Sequence, residues 1–303
     1  MWVKGFREGA SMRKAFIVLA HQLPEQLNLF LSQLIEMPNT EVFIHVNKNN
    51  ENLKQDIIKD SRIHISNNNI QIIWGSDSIL KALIIMLKEV MTSSNSFDYI
   101  FLCSGQDLIV RNGIDEYLEK HNGEVFIDGY KDNRRERAFL LYKWPDKYRK
   151  LMDSRLNPNK IIRRARIELF KTGIPISKKK IKYNTDNVEF YRNWFWCVIP
   201  TEVAQYILQF ISENPDFWGI YENALVPEEG FFSTIIMNSP FANRIKYING
   251  RSSSLTYDGP RNNGHSAVIH MDDIDNIEKS NKFFARKFDY RVDKEVVEYF
   301  TKR

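Results

Sequence analysis

The chain has 303 residues, of which 43% are hydrophobic and 27% charged, and it carries a net charge of +5 at pH 7. This composition is typical of a folded globular protein and excludes a disordered chain. No stretch approaches the ~18 apolar residues of a transmembrane helix, and two cysteines are too few for a disulfide framework or a cysteine-rich metal cluster.

The beginning of the chain differs from the rest. Residues 1–11 (MWVKGFREGAS) have no apolar core of the signal-peptide type. We interpret residues 1–13 as an N-terminal extension or tag, with Met12 as a candidate native start, and 14–303 as a single domain. A cytosolic location is expected, peripheral to the inner face of the membrane if the basic segment described below binds lipid.

Predicted strands and helices alternate through the first half. Strands are predicted at 14–20, 41–46, 63–65, 70–74 and 99–103, and helices from Pro24, over 50–59 and over 78–91. Strand–helix–strand order at this spacing indicates parallel pairing in a doubly wound sheet. The predicted fold class is α/β, with a Rossmann-like, mostly parallel central sheet flanked by helices.

Ligands of such sheets bind beyond the carboxyl ends of the strands. The loops there contain His21, Trp74 and Asp107, which we therefore expect to meet over one pocket. Asp107 ends the stretch FDYIFLCSGQD (97–107). In many enzymes that handle nucleotide-sugars such a strand ends in an Asp-x-Asp pair that holds a divalent metal, but here the second Asp is absent.

The second half is predicted to contain strands at 124–127, 195–199 and 245–248, helices at 201–211, 227–237, 275–280 and 292–300, and a loop over 249–270. Pro227, Glu228 and Glu229 fit a helix N-terminus. Two interpretations stay open for the acids. They complement the helix dipole, or one of them is a general base whose pKa is raised by adjacent aromatic surface.

The stretch FFARKFD (283–289) places Arg286 and Lys287 between aromatic residues. These cations either snorkel at the rim of the core or clamp a leaving diphosphate, as lysine and arginine can in place of a metal. A formal Asp-x-Asp at Asp273 and Asp275 lies at a predicted helix start, where acids are expected anyway. No metal site is predicted.

Residues 160–182 (KIIRRARIELFKTGIPISKKKIK) are strongly basic and contain one acid, Glu168. Ile161, Ile162, Ala165 and Leu169 share one face of a helix. The segment is either a solvated surface or a short interfacial helix that binds anionic lipid headgroups or phosphate. Aromatic residues for base stacking are not interleaved, so nucleic acid is not an expected partner.

Seven stretches in this order resemble one family: AHQLPEQLNLFLSQL, VFIHVNK, IIWGSDSILKA, FDYIFLCSGQD, NWFWCVIPTEVAQYIL, VPEEGFFSTIIMNSPF and FFARKFD. The chain is similar to the core-2/I-branching β-1,6-N-acetylglucosaminyltransferases and peptide O-xylosyltransferases, glycosyltransferase family 14, in a bacterial form. The resemblance implies a GT-A-like fold, inversion at the anomeric carbon, a UDP-sugar donor and no metal or other cofactor. It also implies a donor-binding half at about 14–130 and an acceptor and catalytic half at about 131–303.

The resemblance also implies roles for individual residues. Glu229 matches the catalytic base and Lys287 the cation on the donor diphosphate, with Arg261 or Arg251 as the second cation. Asn47 stands where the family has an aspartate in its H-V-D-x-K loop, so a carboxylate acceptor is lost there. The other donor-side candidates are His21, Trp74, Gly75, Ser76 and Asp107. The acceptor-side candidates are Glu136, Trp194, Trp196 and Glu228.

The leading hypothesis is a glycosyltransferase that moves a sugar, GlcNAc first and xylose second, from a UDP-sugar to a glycan in surface polysaccharide or glycoconjugate synthesis. A lipid-linked acceptor would suit the basic segment. Two alternatives stay open. One is a non-catalytic nucleotide- or carbohydrate-binding module on the same fold, and the other is a peripheral membrane scaffold.

Overall fold

The computed structural model describes residues 12–145, 157–172, 179–193, 196–262 and 265–302, and for residues 134–136, 261, 262 and 265 it describes the backbone alone. Within these ranges the strands are β1 Lys14–Ala20, β2 Thr40–Val46, β3 Ile63–Ile65, β4 Tyr99–Ser104, β5 Leu108–Ile109, β6 Phe126–Ile127, β7 Tyr130–Lys131, β8 Tyr191–Arg192, β9 Cys197–Pro200, β10 Tyr247–Ile248, β11 Arg251–Ser252, β12 Thr256–Asp258, β13 Arg261–Asn262, β14 His265–Ser266 and β15 Phe284–Arg286.

The α-helices of the same ranges are α1 Pro24–Glu36, α2 Leu53–Asp56, α3 Ser78–Thr92, α4 Ile114–Lys120, α5 Arg134–Leu141, α6 Pro158–Lys171, α7 Thr201–Glu213, α8 Trp218–Tyr221, α9 Glu228–Met237, α10 Ile274–Ser280 and α11 Lys294–Thr301. Short 3-10 turns lie at Lys48–Asn50, Pro215–Phe217, Ala242–Arg244 and Met271–Asp273.

The central sheet has six strands in the order β3-β2-β1-β4-β9-β6. Strands β3, β2, β1 and β4 pair in parallel, and β9 runs antiparallel to both of its neighbours. A smaller sheet has three strands in the order β12-β15-β5, and its strands β12 and β15 come from the C-terminal part of the chain. The predicted α/β class with a mostly parallel central sheet flanked by helices is confirmed.

Alternation along β1 explains why helices cover both faces of this sheet. Ala15 and Ile17 belong to one buried cluster, which contains the apolar face of α3. Phe16 and Val18 belong to another, which contains the apolar face of α1. Successive side chains of a strand point to opposite faces, so a strand that is apolar at every position needs cover on both sides.

The parallel strands end level with one another. Ala20 pairs with Val46, and Leu19 pairs with Ser104. The loops that follow β1, β2 and β4 therefore leave the sheet at the same edge. This is the edge at which the sequence predicts the ligand pocket.

Some predicted elements differ from the structure. Segment 70–74 forms no strand, and only Leu53–Asp56 of the helix predicted at 50–59 is α-helical. The loop predicted over 249–270 contains the short strands β11, β12, β13 and β14, of which β11 pairs with β10 and β13 pairs with β14. Residues 1–11 of the predicted extension lie outside the described residues. Met12 packs against the core and the backbone N–H of Arg13 donates to Asp98 at 2.9 Å, so both belong to the domain.

Candidate active site

A cavity of about 300 Å³ lies at the carboxyl edge of the central sheet. Its walls come from both halves of the chain. The residues that line it are Leu19, Ala20, His21, Asn47, Ile72, Trp74, Ile79, Ser104, Trp196, Val226, Glu228, Glu229, Asp258, Ser266, Arg286 and Lys287.

One wall is segment 70–74, which side chains of β2 and its exit hold in place. The backbone N–H of Ile70 donates to Nε2 of His45 at 3.0 Å. The Asn47 amide pairs with both backbone groups of Ile72: Oδ1 accepts from its N–H at 3.2 Å, and Nδ2 donates to its carbonyl at 3.3 Å. These bonds satisfy backbone groups that a strand ladder would otherwise satisfy, so an apolar run that reads as a strand forms an extended wall instead.

These hydrogen bonds depend on a neutral His45 ring and on both the donor and the acceptor of the Asn47 amide. Burial lowers the pKa of His45, which favours the neutral ring that accepts the Ile70 N–H. Asn47 uses both its acceptor and its donor on Ile72, and an aspartate at this position could supply only the acceptor.

Trp74 and Val226, which lie far apart in the chain, both line the cavity, and Val226 contacts Gly75, the residue after Trp74. Trp74 remains 47% exposed on the cavity wall. The backbone N–H of Val226 donates to the Gly75 carbonyl at 3.0 Å. Val226 has φ +46°, which is a strained conformation for a β-branched residue. Strain of this kind concentrates at functional sites, and here it lies directly before the acidic pair of α9.

Helix α9 begins with Glu228 and Glu229, and both line the cavity. A side-chain oxygen of Glu229 forms an ion pair with the Arg192 guanidinium of β8. Burial opposes the charged form of Arg192, but the neighbouring Glu229, Tyr130 and Asp132 raise its pKa. The first turn of a helix also favours negative charge, so the ion pair and the helix terminus both favour a negative charge at Glu229 beside the cavity.

Two cations from the end of β15 line the same cavity. Arg286 is buried, stacks on the Trp196 ring at 4.0 Å, and donates to Asp258 at 3.1 Å. Lys287 is partly exposed, and its ammonium makes no ion pair with any residue in the described part of the chain. Desolvation and the adjacent Arg286 lower the pKa of Lys287, while desolvation and Lys287 lower the pKa of His21. This part of the cavity therefore favours a negatively charged ligand.

Asp107 lies beneath the floor of the cavity and does not line it. Its oxygens accept from the Ser104 N–H at 3.0 Å, the Ser104 hydroxyl at 2.6 Å and the Arg286 guanidinium at 3.3 Å. Burial raises the pKa of Asp107, while Arg286 and Ser104 act in the opposite direction. Asp107 thus supports Ser104 and Arg286, which line the cavity, in place of the donor contact predicted for it.

The structure brings most of the predicted site together. His21, Asn47, Trp74, Trp196, Glu228, Glu229 and Lys287 line one cavity. Gly75 and Ser76 do not line it; they support the wall through the Gly75 carbonyl and through a 2.6 Å contact between the Ser76 and Ser78 hydroxyls.

Three predicted residues lie outside what the structure describes. Trp194 is not among the described residues. Only the backbone is described for Glu136, in α5, and for Arg261, in β13. Their predicted contacts with acceptor and donor stay predictions.

Sequence reasoning missed Arg192, Ser104, Val226 and Asp258. Arg286 was recognised within FFARKFD but not assigned to the site. Nothing in the sequence signals the pairing of Arg192 with Glu229, because the two lie 37 positions apart on elements whose packing the sequence does not specify.

No group of three or more histidine, cysteine, aspartate or glutamate residues is placed to hold a metal ion in the part of the chain that the structure describes. Asp273 ends the 3-10 turn Met271–Asp273 and precedes α10, and its carboxylate accepts the His270 N–H at 2.9 Å. Both cysteines, Cys103 and Cys197, are buried free thiols.

Two solved structures show a remote likeness to this chain. A 4-diphosphocytidyl-2C-methyl-D-erythritol synthase from Anaerococcus prevotii is 12% identical, with a TM-score of 0.34 over 67% of this chain and 77% of that one. A putative glucose-1-phosphate thymidylyltransferase from Bacillus anthracis is 13% identical, with a TM-score of 0.28 over 64% of this chain and 74% of that one. TM-scores this low say nothing about the site or its substrate.

Sequence comparison is more informative. A Caenorhabditis briggsae protein named xylosyltransferase sqv-6 is 23% identical over 304 aligned residues, which cover 90% of this chain. The chain spans about a third of that relative, 34% of its length. A model of the Core-2/I-Branching enzyme family matches residues 14–277. The match includes β1, the wall at 70–74 and the acidic pair of α9, and it ends before Arg286 and Lys287. A match over most of the domain, together with the cavity built by the family-like stretches, shows that the chain belongs to the Core-2/I-branching enzyme family.

Proposed function

We propose that the protein is an inverting, metal-independent glycosyltransferase that moves a sugar from a UDP-sugar to a hydroxyl group of a glycan acceptor. The observation that carries the proposal is one cavity lined by Glu229 at a helix N-terminus and by Arg286 and Lys287 at a strand end. Family membership supports it. A base for the incoming hydroxyl and cations for the departing diphosphate are the two groups that a single displacement needs.

In this mechanism Glu229 takes the proton of the acceptor hydroxyl. The acceptor oxygen then forms a bond to the anomeric carbon, and the bond from that carbon to the diphosphate oxygen breaks. Attack on the face opposite the leaving group inverts the anomeric configuration. The electron pair leaves with UDP, whose increased negative charge is stabilised by Lys287 and Arg286.

GlcNAc is the first candidate for the transferred sugar, because the chain resembles β-1,6-N-acetylglucosaminyltransferases. Xylose is the second, and the printed name of the Caenorhabditis relative favours it. A thermal-shift panel of UDP-sugars ranks the donors, since a bound ligand stabilises the native state according to its affinity.

The decisive experiment measures transfer from the best donor in excess EDTA, for the wild-type protein and for Glu229→Gln. We expect EDTA to leave activity intact and the variant to lose about 10²–10⁴-fold in kcat while it still binds UDP. Glu202→Gln, which changes an exposed acid in the first turn of α7 outside the cavity lining, is the control. Abolition by EDTA contradicts metal independence, and full activity of Glu229→Gln contradicts the assigned base. UDP binding with neither transfer nor release of free UDP from a UDP-sugar would instead indicate a non-catalytic binding module.

We also propose that helix α6 contacts an anionic membrane surface and that the acceptor is lipid-linked. Ile161 and Ile162 are 59% and 42% exposed, on a helix that also carries Lys160, Arg163, Arg164, Arg166 and Lys171. Exposed apolar side chains flanked by cations are the pattern of interfacial helices. The opposite face of α6 packs through Ile167 and Phe170 into the cluster that contains Val226, so the helix lies close to the cavity wall.

Residues 173–178 of the basic segment lie outside the described residues, so the test uses the helix alone. Sedimentation with phosphatidylglycerol vesicles is expected to fall in an Ile161→Asp, Ile162→Asp double variant. Val292→Asp, which changes another exposed apolar residue, is the control. Equal sedimentation of all three proteins contradicts membrane contact. No helix of the described ranges combines the length and the apolarity that crossing a bilayer requires.

A further inference from the structure

Strand β8 and Asn193, the residue after it, pack against the first turns of helix α9. The backbone N–H of Asn193 donates to the Glu229 carbonyl at 2.6 Å, and the Tyr191 N–H donates to the Thr234 hydroxyl at 3.1 Å. Gly230 permits this approach, because a β-carbon there would lie 3.0 Å from the Tyr191 carbonyl oxygen. The two elements are therefore joined through the residues on both sides of Arg192.

Arg192 lies at the centre of this contact and is almost completely buried. Its side chain is 3% exposed and forms the ion pair with Glu229, whose side chain is 29% exposed. The guanidinium also lies over the Phe139 ring, 5.0 Å from the ring centroid. A buried guanidinium stacked on an aromatic ring has little freedom to move, so it presents its N–H donors to the carboxylate in one direction.

We propose that Arg192 is a positioning residue for the base, holding the Glu229 carboxylate ionised and oriented towards the cavity. The inference rests on the proposed role of Glu229. An arginine in contact favours the charged form of a carboxylate, so the base stays competent as the pH falls. Fixing one oxygen on Arg192 also fixes the direction of the other, and orientation of this kind contributes to rate.

Other titratable groups lie near the pair of Arg192 and Glu229. They are unchanged in the Arg192 variants described below. Tyr130 of β7 and Asp132, the residue after that strand, act on Arg192 electrostatically. Glu228 adjoins Glu229 in sequence, and His21, Asp258, Arg286 and Lys287 line the same cavity.

The test compares Arg192→Gln and Arg192→Lys with the wild-type protein. Two readouts are used: the pH dependence of kcat/KM, and the midpoint of the Glu229 carboxyl titration followed by carbon-13 NMR. The NMR signal is assigned by its absence from Glu229→Gln. For Arg192→Gln we expect both the acid limb and the NMR midpoint to move to higher pH by about one unit or more. Arg192→Lys keeps the charge and loses the planar fork, so we expect a smaller shift and a lower kcat with KM for the donor retained.

The matched control is Arg244→Gln. Arg244 pairs with Glu202 at 2.7 Å and lies over Phe241 at 5.4 Å, and none of the three lines the cavity. The Arg244→Gln substitution removes an arginine–glutamate ion pair and a contact with an aromatic ring. We expect that neither the acid limb of the pH profile nor the NMR midpoint of Glu229 moves in this variant. Thermal unfolding with and without UDP identifies a variant that has merely lost its fold.

An Arg192→Gln protein that binds UDP, keeps the wild-type acid limb and keeps the NMR midpoint overturns the proposal. Failure of the proposed function looks different. In that case the wild-type protein transfers no sugar from any UDP-sugar, while the NMR midpoint still reports whether Arg192 governs the ionisation of Glu229.

Discussion

The Nε atom of Arg286 lies 3.3 Å from Oδ1 of Asp107, although the two residues are 179 positions apart in the chain. This pair connects the end of β4 to the end of β15. It gives Asp107, the carboxylate that ends FDYIFLCSGQD, a structural role: Asp107 supports, from below, the strand end that brings Arg286 and Lys287 to the cavity. The carboxylate therefore acts on the site through a cation rather than by contact with the ligand.

The two adjacent cations should respond differently to removal. Arg286→Met leaves the buried Asp107 without its guanidinium, so we expect the free energy of unfolding to fall by about 3–5 kcal/mol. Lys287→Met removes a partly exposed ammonium and should change that free energy by less than about 1 kcal/mol. Lys287→Met should instead weaken UDP binding about tenfold or more, because it loses a charge-assisted contact. Urea unfolding and calorimetric titration with UDP measure the two effects, and equal stability losses would contradict this division.

Asn47→Asp tests the wall of the cavity. A carboxylate cannot donate to the Ile72 carbonyl, so we expect the free energy of unfolding to fall by about 1–3 kcal/mol and UDP binding to weaken. Asn49→Asp, an exposed change two residues further along, is the control for added charge. Tighter UDP binding by Asn47→Asp would show instead that residue 47 contacts the donor directly, as the family resemblance implies.

Gly230→Ala tests the contact between β8 and α9. Alanine normally stabilises a helix relative to glycine by about 0.5–1 kcal/mol. At position 230 its methyl group would press on the Tyr191 carbonyl, so we expect a loss of about 1–3 kcal/mol in unfolding free energy together with lower kcat. Gly219→Ala, in α8, meets nothing within 4 Å and is the matched control. Equal effects of the two substitutions would disprove the close packing.

His45 should make the stability of the protein depend on pH. Its pKa is lowered in the folded state, so the unfolded chain binds more protons once the pH falls below about 6.5. The contribution of His45 is therefore fully present above that pH and is lost progressively on acidification towards the folded-state pKa. His45→Gln keeps an acceptor for the Ile70 N–H but does not titrate. We expect urea unfolding at pH 5 and pH 7 to differ less in this variant than in the wild-type protein.

His64→Gln serves as the control for loss of a histidine, since His64 is exposed and contacts Glu41. Identical pH dependence of the wild-type protein and His45→Gln would show that His45 does not contribute.

The periodic elements could be predicted from the sequence. β1, α1, α3 and β4 carry continuous apolar runs or stripes, and their bounds in the structure agree with the predicted ones to within about two residues. The parallel order followed from the alternation of strands and helices. It predicted that His21, Trp74 and Asp107 would meet at one edge, because parallel strands share an edge, and the family resemblance added Glu229 and Lys287. Of these residues, all but Asp107 line the cavity.

Tertiary structure decided which residues touch. Segment 70–74 is apolar enough to read as a strand, but His45 and Asn47 satisfy its backbone groups in place of a partner strand. The sequence allows Asp107 to be either a structural or a sugar-contacting carboxylate, and its contacts with Arg286 and Ser104 below the cavity floor fit the structural role. Composition and periodicity fix which face of an element is buried, whereas the partner of a buried charge depends on packing between elements far apart in the chain.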